Sequence, residues 1–310
     1  MNKIKKQNLV TLIIAFILFV TSTLFSFLFA DDDLSNGNRE LSYKETLYSY
    51  IRDAYDKNQI KEFKFYLDSL FDGPFKDFEI DDLNLSGSCS DINCSRNIPS
   101  CSTVEVLVYN NKPKFLRAFF ESAREYNRYN NYYDINYRDD PYLTNPILIT
   151  AIKKDYVEIF NLLIEYYPRE IDFNDTDPRH GNTALMEAVQ SDNNYYTNSL
   201  LNKHYSRIII GLDPNKQNKA KNTALMIAAQ TKELPEIQEI LALFTENDLN
   251  VSKRIRNREG KLAYDILTGR FQNESESGAF DVIKPPKPGS PVISTEDLKL
   301  LENKATRSEK

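Results

Sequence analysis

Three cysteines, Cys89, Cys94 and Cys101, are all that the 310-residue chain has, and they fall in one Ser- and Asn-rich stretch, residues 84–102. A local disulfide suits thiols so placed in an oxidising compartment. Cys94–Cys101 and Cys89–Cys101 are the pairings to weigh, with one thiol left over. A metal site of Cys ligands is the weaker reading. The spacing is not C-x-x-C, and both histidines, His180 and His204, are far off in sequence, so no metal or cofactor is expected. Basic side chains form a second set: Arg179, then Lys216, Lys219 and Lys221, then Arg254, Arg256 and Arg258. On a chain of net charge −6 such clusters steer an acidic partner, although solvated turns also carry charges. Nucleic-acid binders are normally basic overall, so that class is set aside. Residues 126–142 read YNRYNNYYDINYRDDPY, with Tyr132 and Tyr133 at the centre, and Tyr195 and Tyr196 make a second tyrosine pair. Tyr and Asn together offer rigid contact area and adaptable hydrogen bonding; a solvated Tyr-rich surface is the blander reading. Catalytic patterns are missing: no G-x-S-x-G, no H-E-x-x-H, no phosphate loop and no Gly-rich dinucleotide turn among only nine glycines. The acidic clusters at 72–82 and 172–177 read as solvated loops, so no enzyme is expected.

The basic clusters flank a repeated phrase. Residues 182–189 read NTALMEAV and residues 222–229 read NTALMIAA, 40 residues apart. A period of roughly 20–50 residues marks a stacked repeat. Thr183 and Thr223 each stand before a short apolar run, where a Thr oxygen accepts from an unpaired N–H of a first helical turn. Ala184, Leu185 and Ala188, like Ala224, Leu225 and Ala228, form a narrow apolar face whose small residues let helices approach closely. A second helix follows: Ile237, Ile240, Leu241 and Phe244 sit at i, i+3, i+4 and i+7. Pro235 suits its first turn, where a missing N–H costs nothing.

The phrase resembles the ankyrin repeat, whose signature is G-x-T-P-L-H-x-A-A, and Gly211-Leu212-Asp213-Pro214-Asn215 resembles that family's G-A-D-P-N closing turn. Met186 and Met226 stand where the family has His, so the hydrogen bonds of that His are absent. The Gly before the Thr is kept as Gly181 but is Lys221 in the next copy, which implies strain or a changed turn at a position that favours φ > 0. Residues 260–267 resemble a further unit, with Leu262 replacing the Thr. Residues 146–152 (PILITAI) with 155–163 resemble another. A degenerate pair covers 103–109 and 115–123, with Val108 at the Ala position. The weakest, 47–70, offers Ala54, Phe63, Leu67 and Leu70 as a capping pair. The units recur at 37, 40 and 39 residues, against about 33 in the family. Between Ser191 and Asp213 the excess is about seven residues, roughly two helical turns, which predicts a long or kinked outer helix. The resemblance implies an all-α solenoid of ankyrin-type helix-turn-helix repeats over 103–270, preceded at 42–102 by a helical capping region with the cysteine loop. It also implies a non-enzymatic protein that binds a protein partner through its turn tips and inner helices.

Lys3, Lys5 and Lys6 precede 22 uncharged residues, 9–30, and Asp31, Asp32 and Asp33 follow. The positive-inside rule puts the body of the chain outside the cytoplasm. Two readings of residues 1–30 stand side by side. A signal peptide has its apolar core at 9–20 and a cut after Ala30, which moves the net charge from −6 to −9. An uncut signal-anchor has the apolar length, about 20 residues, needed to span a membrane. Residues 31–41 read as a spacer. Residues 271–310, with Pro285, Pro286, Pro288 and Pro291, read as a Pro-rich disordered tail. The expectation is an extracytoplasmic interaction module, membrane-tethered if uncut. A secreted host-directed factor and a self-assembling structural envelope protein are the alternatives.

Overall fold

The computed structural model describes residues 36–71, 85, 102–130, 134–138, 142, 144–202, 211–246, 251–270 and 284. The leader (1–30), Cys89, Cys94 and Cys101, Tyr132 and Tyr133, and all of the tail 271–310 except Lys284 lie outside the described residues. Among the described residues the elements are helices, none of them long and apolar enough to cross a membrane. The chain divides into two units, Met1–Ser49 and Tyr50–Lys310. The division falls inside helix α1 (Asn36–Asp56), whose first part carries the buried Leu47 and Tyr48.

The second unit continues through α2 (Ile60–Phe71), α3 (Thr103–Tyr109), α4 (Pro113–Asn130), α5 (Ile147–Lys153), α6 (Val157–Tyr166), α7 (Ala184–Gln190), α8 (Asn194–Leu201), α9 (Ala224–Thr231), α10 (Leu234–Glu246) and α11 (Ala263–Arg270). Two layers result. The short helices α3, α5, α7, α9 and α11 stack on one another in chain order. Behind them α2, α4 and α6 pack in succession, as do α8 and α10, and each of α3, α5, α7 and α9 packs on the helix that follows it. The inner helices come close because equivalent positions carry Val108, Ala151, Ala188, Ala228 and Leu267, all fully buried. Outer helices bring bulk instead: Ile237, Ile240, Leu241 and Phe244 of α10 are all buried, as their helical spacing predicts.

Local chemistry starts four of the five inner helices, all but α5, where Pro146 stands at the cap without a side-chain hydrogen bond. Thr183 Oγ1 accepts from Met186 N at 3.3 Å, and Thr223 Oγ1 from Met226 N at 3.4 Å. At α3 Ser102 and Glu105 form a reciprocal capping box: Glu105 N donates to Ser102 Oγ (3.2 Å) and Ser102 N to Glu105 Oε2 (3.0 Å). Leu262 has no oxygen to offer, and only the reverse half of such a box remains at α11, where Leu262 N donates to Asp265 Oδ2 at 2.9 Å.

Turns between paired helices share one geometry in the first three pairs. Asn58, Asn111 and Asp155 have φ of 56°, 50° and 56°. Around each the bonds are the same. Asn58 N donates to Tyr55 O and Gln59 N to Ala54 O; Asn111 N donates to Val108 O and Lys112 N to Leu107 O; Asp155 N donates to Ile152 O and Tyr156 N to Ala151 O. This is the Schellman arrangement, with a left-handed residue just past the helix end, where Asn and Asp stand in for Gly. The later units abandon it: α7 and α9 end at Ser191 and Lys232, both extended. The expected long or kinked outer helix after Ser191 is described only as far as Asn202. Helix α8 has eight residues, and Asn202 after it is extended. The extra length falls in 203–210, outside the described residues.

The close inner-helix contact gives a stability test. Replacing the fully buried Ala188 with Leu overfills the α5–α7–α9 contact and should cost about 1–3 kcal/mol, read as a lower urea midpoint at unchanged slope.

Candidate functional site

The three basic clusters lie on three turn tips, each built on one acceptor side chain. Asp177 Oδ1 accepts from Arg179 N (2.9 Å) and His180 N (2.8 Å), and its Oδ2 from Asn182 N (2.7 Å). Asn218 Oδ1 accepts from Ala220 N (3.0 Å) and Asn222 N (2.9 Å). Asn257 Oδ1 accepts from Glu259 N (3.0 Å) and Lys261 N (3.0 Å). A left-handed residue closes each tip: Gly181 (φ 72°), Lys221 (φ 59°) and Gly260 (φ 75°). Lys221 therefore keeps the family's backbone geometry and bears its strain rather than changing the turn.

Successive tips are bonded to each other. Lys219 N donates to His180 O at 2.9 Å, and Arg258 N to Ala220 O at 3.1 Å. Asn218 Nδ2 donates to Asn182 Oδ1 at 2.7 Å, and Asn257 Nδ2 to Asn222 Oδ1 at 3.1 Å. The approach is close: a Cβ on Gly181 would sit 3.0 Å from Lys219 Cγ and 3.1 Å from its N.

This stacking divides the predicted basic residues. Lys219 Nζ donates to Pro178 O, Arg258 Nη2 to Lys219 O and Arg256 Nη1 to Gly260 O. These three charges hold turn-tip backbone. The exposed side chains of Arg179, Lys216, Lys221 and Arg254 make no hydrogen bond or ion pair among the described residues. The tyrosine pair also divides. Tyr196 does not offer a surface: it is 0% exposed, with its ring edge-on to Phe160 and its hydroxyl donating to Asp155 Oδ1 at 2.9 Å. Burial, then that hydrogen bond, pushes its phenol well above the usual range. Its helical phase on α8 directs it inward, a fact that residue type alone does not reveal. Tyr195, 40% exposed, donates to Asn161 Oδ1 of α6 at 2.7 Å and so belongs to the outer layer.

Where tips meet inner helices a groove opens, with a volume of about 380 Å³. The turn tips line it with Arg179, His180, Lys219, Ala220 and Arg258, here called its rim. The tip and cap asparagines Asn182, Asn218 and Asn222 are its wall, and helices α7 and α9 supply Gln190, Ile227, Gln230 and Thr231, its floor. No carboxylate is among these lining residues. A second hollow of about 330 Å³ shares His180 and Gln190 and adds Ile152, Lys153, Glu187 and Ser191. Lys216, Lys221, Arg254 and Arg256 line neither. The floor glutamines escaped notice in the sequence although a signal exists. Both copies of the phrase extend by Asn182…Gln190 and Asn222…Gln230, each eight residues from first to last position.

Two substitutions test the tip geometry by urea unfolding. Lys221→Gly removes the left-handed strain and should raise stability by up to about 1 kcal/mol. Gly181→Val adds strain at φ 72° and a clash with Lys219, and should cost about 2–3 kcal/mol.

No family model matches the chain, and no curated protein matches it. Solved structures do. An ankyrin repeat protein designated EF0377 is similar over 76% of this chain and 96% of its own, at 18% identity and a TM-score of 0.51. An ankyrin repeat domain from Acinetobacter baumannii is similar over 75% and 95%, at 16% identity and a TM-score of 0.49. A chain from the complex of a predatory endopeptidase of Bdellovibrio bacteriovorus with an immunity protein is similar over 76% and 96%, at 13% identity and a TM-score of 0.45. With capped inner helices stacked on small residues, bonded turn tips and this likeness across three quarters of its length, the chain is a protein of the ankyrin-repeat fold.

Proposed function

We propose that this chain is a non-catalytic module that binds a protein partner in the groove between its turn tips and inner helices. The observation that carries the reading is the groove itself: four cationic or imidazole side chains on the rim, amides on wall and floor, and no carboxylate among its lining residues, on a chain of net charge −6. Such a local reversal of sign draws a ligand to one place on the surface. Burial of Tyr196 and the commitment of Tyr195 to Asn161 weaken that tyrosine pair as a rival contact surface, while Tyr132 and Tyr133 lie outside the described residues. The groove's polar groups are mainly amides and cations, with one imidazole, His180, and one hydroxyl, Thr231, and no carboxylate among its lining residues to pair with either as catalysis would need.

The module acts outside the cytoplasm in this reading. Its support is the order of Lys3, Lys5 and Lys6, the uncharged run 9–30 and the three aspartates after it. Fusing residues 1–41 to a phosphatase that is active only after export should give an active fusion; an inactive, cytoplasmic fusion would place the module inside the cell.

Arg179 is the variant of choice for the groove, because its charge faces the cavity and holds no backbone. The full chain in nonionic detergent should capture a partner from envelope or secreted fractions, and Arg179→Glu should weaken that capture at least about tenfold, roughly 1.4 kcal/mol, at the same thermal midpoint. Capture that ignores Arg179→Glu would move the site off the groove. Self-association without a partner would favour the structural role.

A further inference from the structure

Resting on that reading of the groove, we propose that its ligand is an extended acidic segment of the partner chain, lying across α7 and α9 and held at three-residue intervals by Gln190 and Gln230. These glutamines are the seventh residues of their helices, one repeat apart. Both are exposed on the groove floor, and neither side chain makes a hydrogen bond among the described residues. The asparagines around them are committed: Asn182, Asn218 and Asn222 hold the turn tips together. A glutamine amide has both donor and acceptor atoms, the complement of a peptide group.

Spacing selects the ligand's conformation. Packed helices lie about 8–10 Å apart. A polyproline-type chain advances about 3.1 Å per residue with about three residues per turn, so every third residue faces the same way, whereas a β-strand turns its third residue to the opposite face. Backbone groups three residues apart therefore meet successive glutamines. A helical ligand needs about six residues to cover that distance, which turns its second contact to another face, and its backbone groups are already bonded within the helix. Charge selects the side chains. Arg179, with a free guanidinium, and Arg258 and Lys219 beside it put only positive charge at the rim, so carboxylates are accepted there and ammonium groups are repelled.

The test uses the full chain in nonionic detergent and three fluorescein-labelled probes: four repeats of Glu-Pro-Pro, six repeats of Glu-Pro and four repeats of Lys-Pro-Pro. Fluorescence anisotropy should show the Glu-Pro-Pro probe, with an N–H at every third residue, binding at least tenfold more tightly than the Lys-Pro-Pro probe and severalfold more tightly than the Glu-Pro probe. The double variant Gln190→Ala/Gln230→Ala should lose at least fivefold in affinity for it while keeping its thermal midpoint. Equal affinity for acidic and basic probes, no binding of any probe, or indifference to the double variant would each overturn the proposal. Partner capture that depends on Arg179 would survive those results, so the broader reading fails separately. The acidic first part of the chain's own tail, with Glu274, Glu276 and Asp281, is the competing occupant. If Glu274→Gln/Glu276→Gln/Asp281→Asn in the full chain tightens probe binding severalfold, the groove belongs to the tail and the proposal is wrong.

Discussion

A single helix pair cannot bury its own apolar face, so everything in this chain depends on each pair finding the next. The contact that makes this possible is the stacking of short inner helices through Ala151, Ala188 and Ala228, fully buried and one repeat apart. A methyl group suffices at these three positions, with Val108 and Leu267 at the equivalent places in the first and last units, and the outer layer adds bulk, where α10 buries Ile237, Ile240, Leu241 and Phe244. The tips follow from that spacing. Once the helices are close, the backbone of Lys219 reaches His180 O and that of Arg258 reaches Ala220 O, and a groove forms in front of the helices they cap.

Asparagine and aspartate do much of the backbone's work. They take the left-handed position after α1, α3 and α5. They also head each turn tip, through Asp177, Asn218 and Asn257. A third row joins the closing turns of successive units. Asn136 Nδ2 donates to Glu170 O while its Oδ1 accepts from Asp172 N; Asn174 does the same with Gly211 O and Asp213 N; Asn215 Oδ1 accepts from Ser252 N. An Asn amide can satisfy a donor and an acceptor at once, which suits it to loops whose peptide groups lack helical partners. The Asn-rich composition is thus a structural property before it is a binding one.

Cations show the same economy at the other end of the inner helices. Lys232, almost fully buried, donates to Ser191 O at 2.7 Å, and one unit later Arg270 donates to Ala229 O (2.9 Å) and Lys232 O (2.7 Å). Each reaches back to carbonyls at the end of the preceding inner helix, where the helix dipole favours positive charge. With Lys219, Arg256 and Arg258 engaged at the tips, the basic residues divide into those that hold the stack and those, such as Arg179, whose side chains hold none of it.

What the sequence by itself determined is what rests on near neighbours and on a period. Thr183 and Thr223 cap their helices three residues on, the i, i+3, i+4, i+7 pattern of α10 names its own buried face, and two copies of one phrase announce a stack. The tertiary structure alone decided what depends on residues some 40 positions away. It turned Tyr196 into core by facing it to Phe160 and Asp155, committed Lys219 and Arg258 to carbonyls of the adjoining tip, and set Gln190 beside Gln230 on one floor. The reason is physical: a cap or an amphipathic face is fixed within a turn or two of one helix, whereas the free or bonded state of an exposed charge depends on which carbonyl the next repeat places within reach.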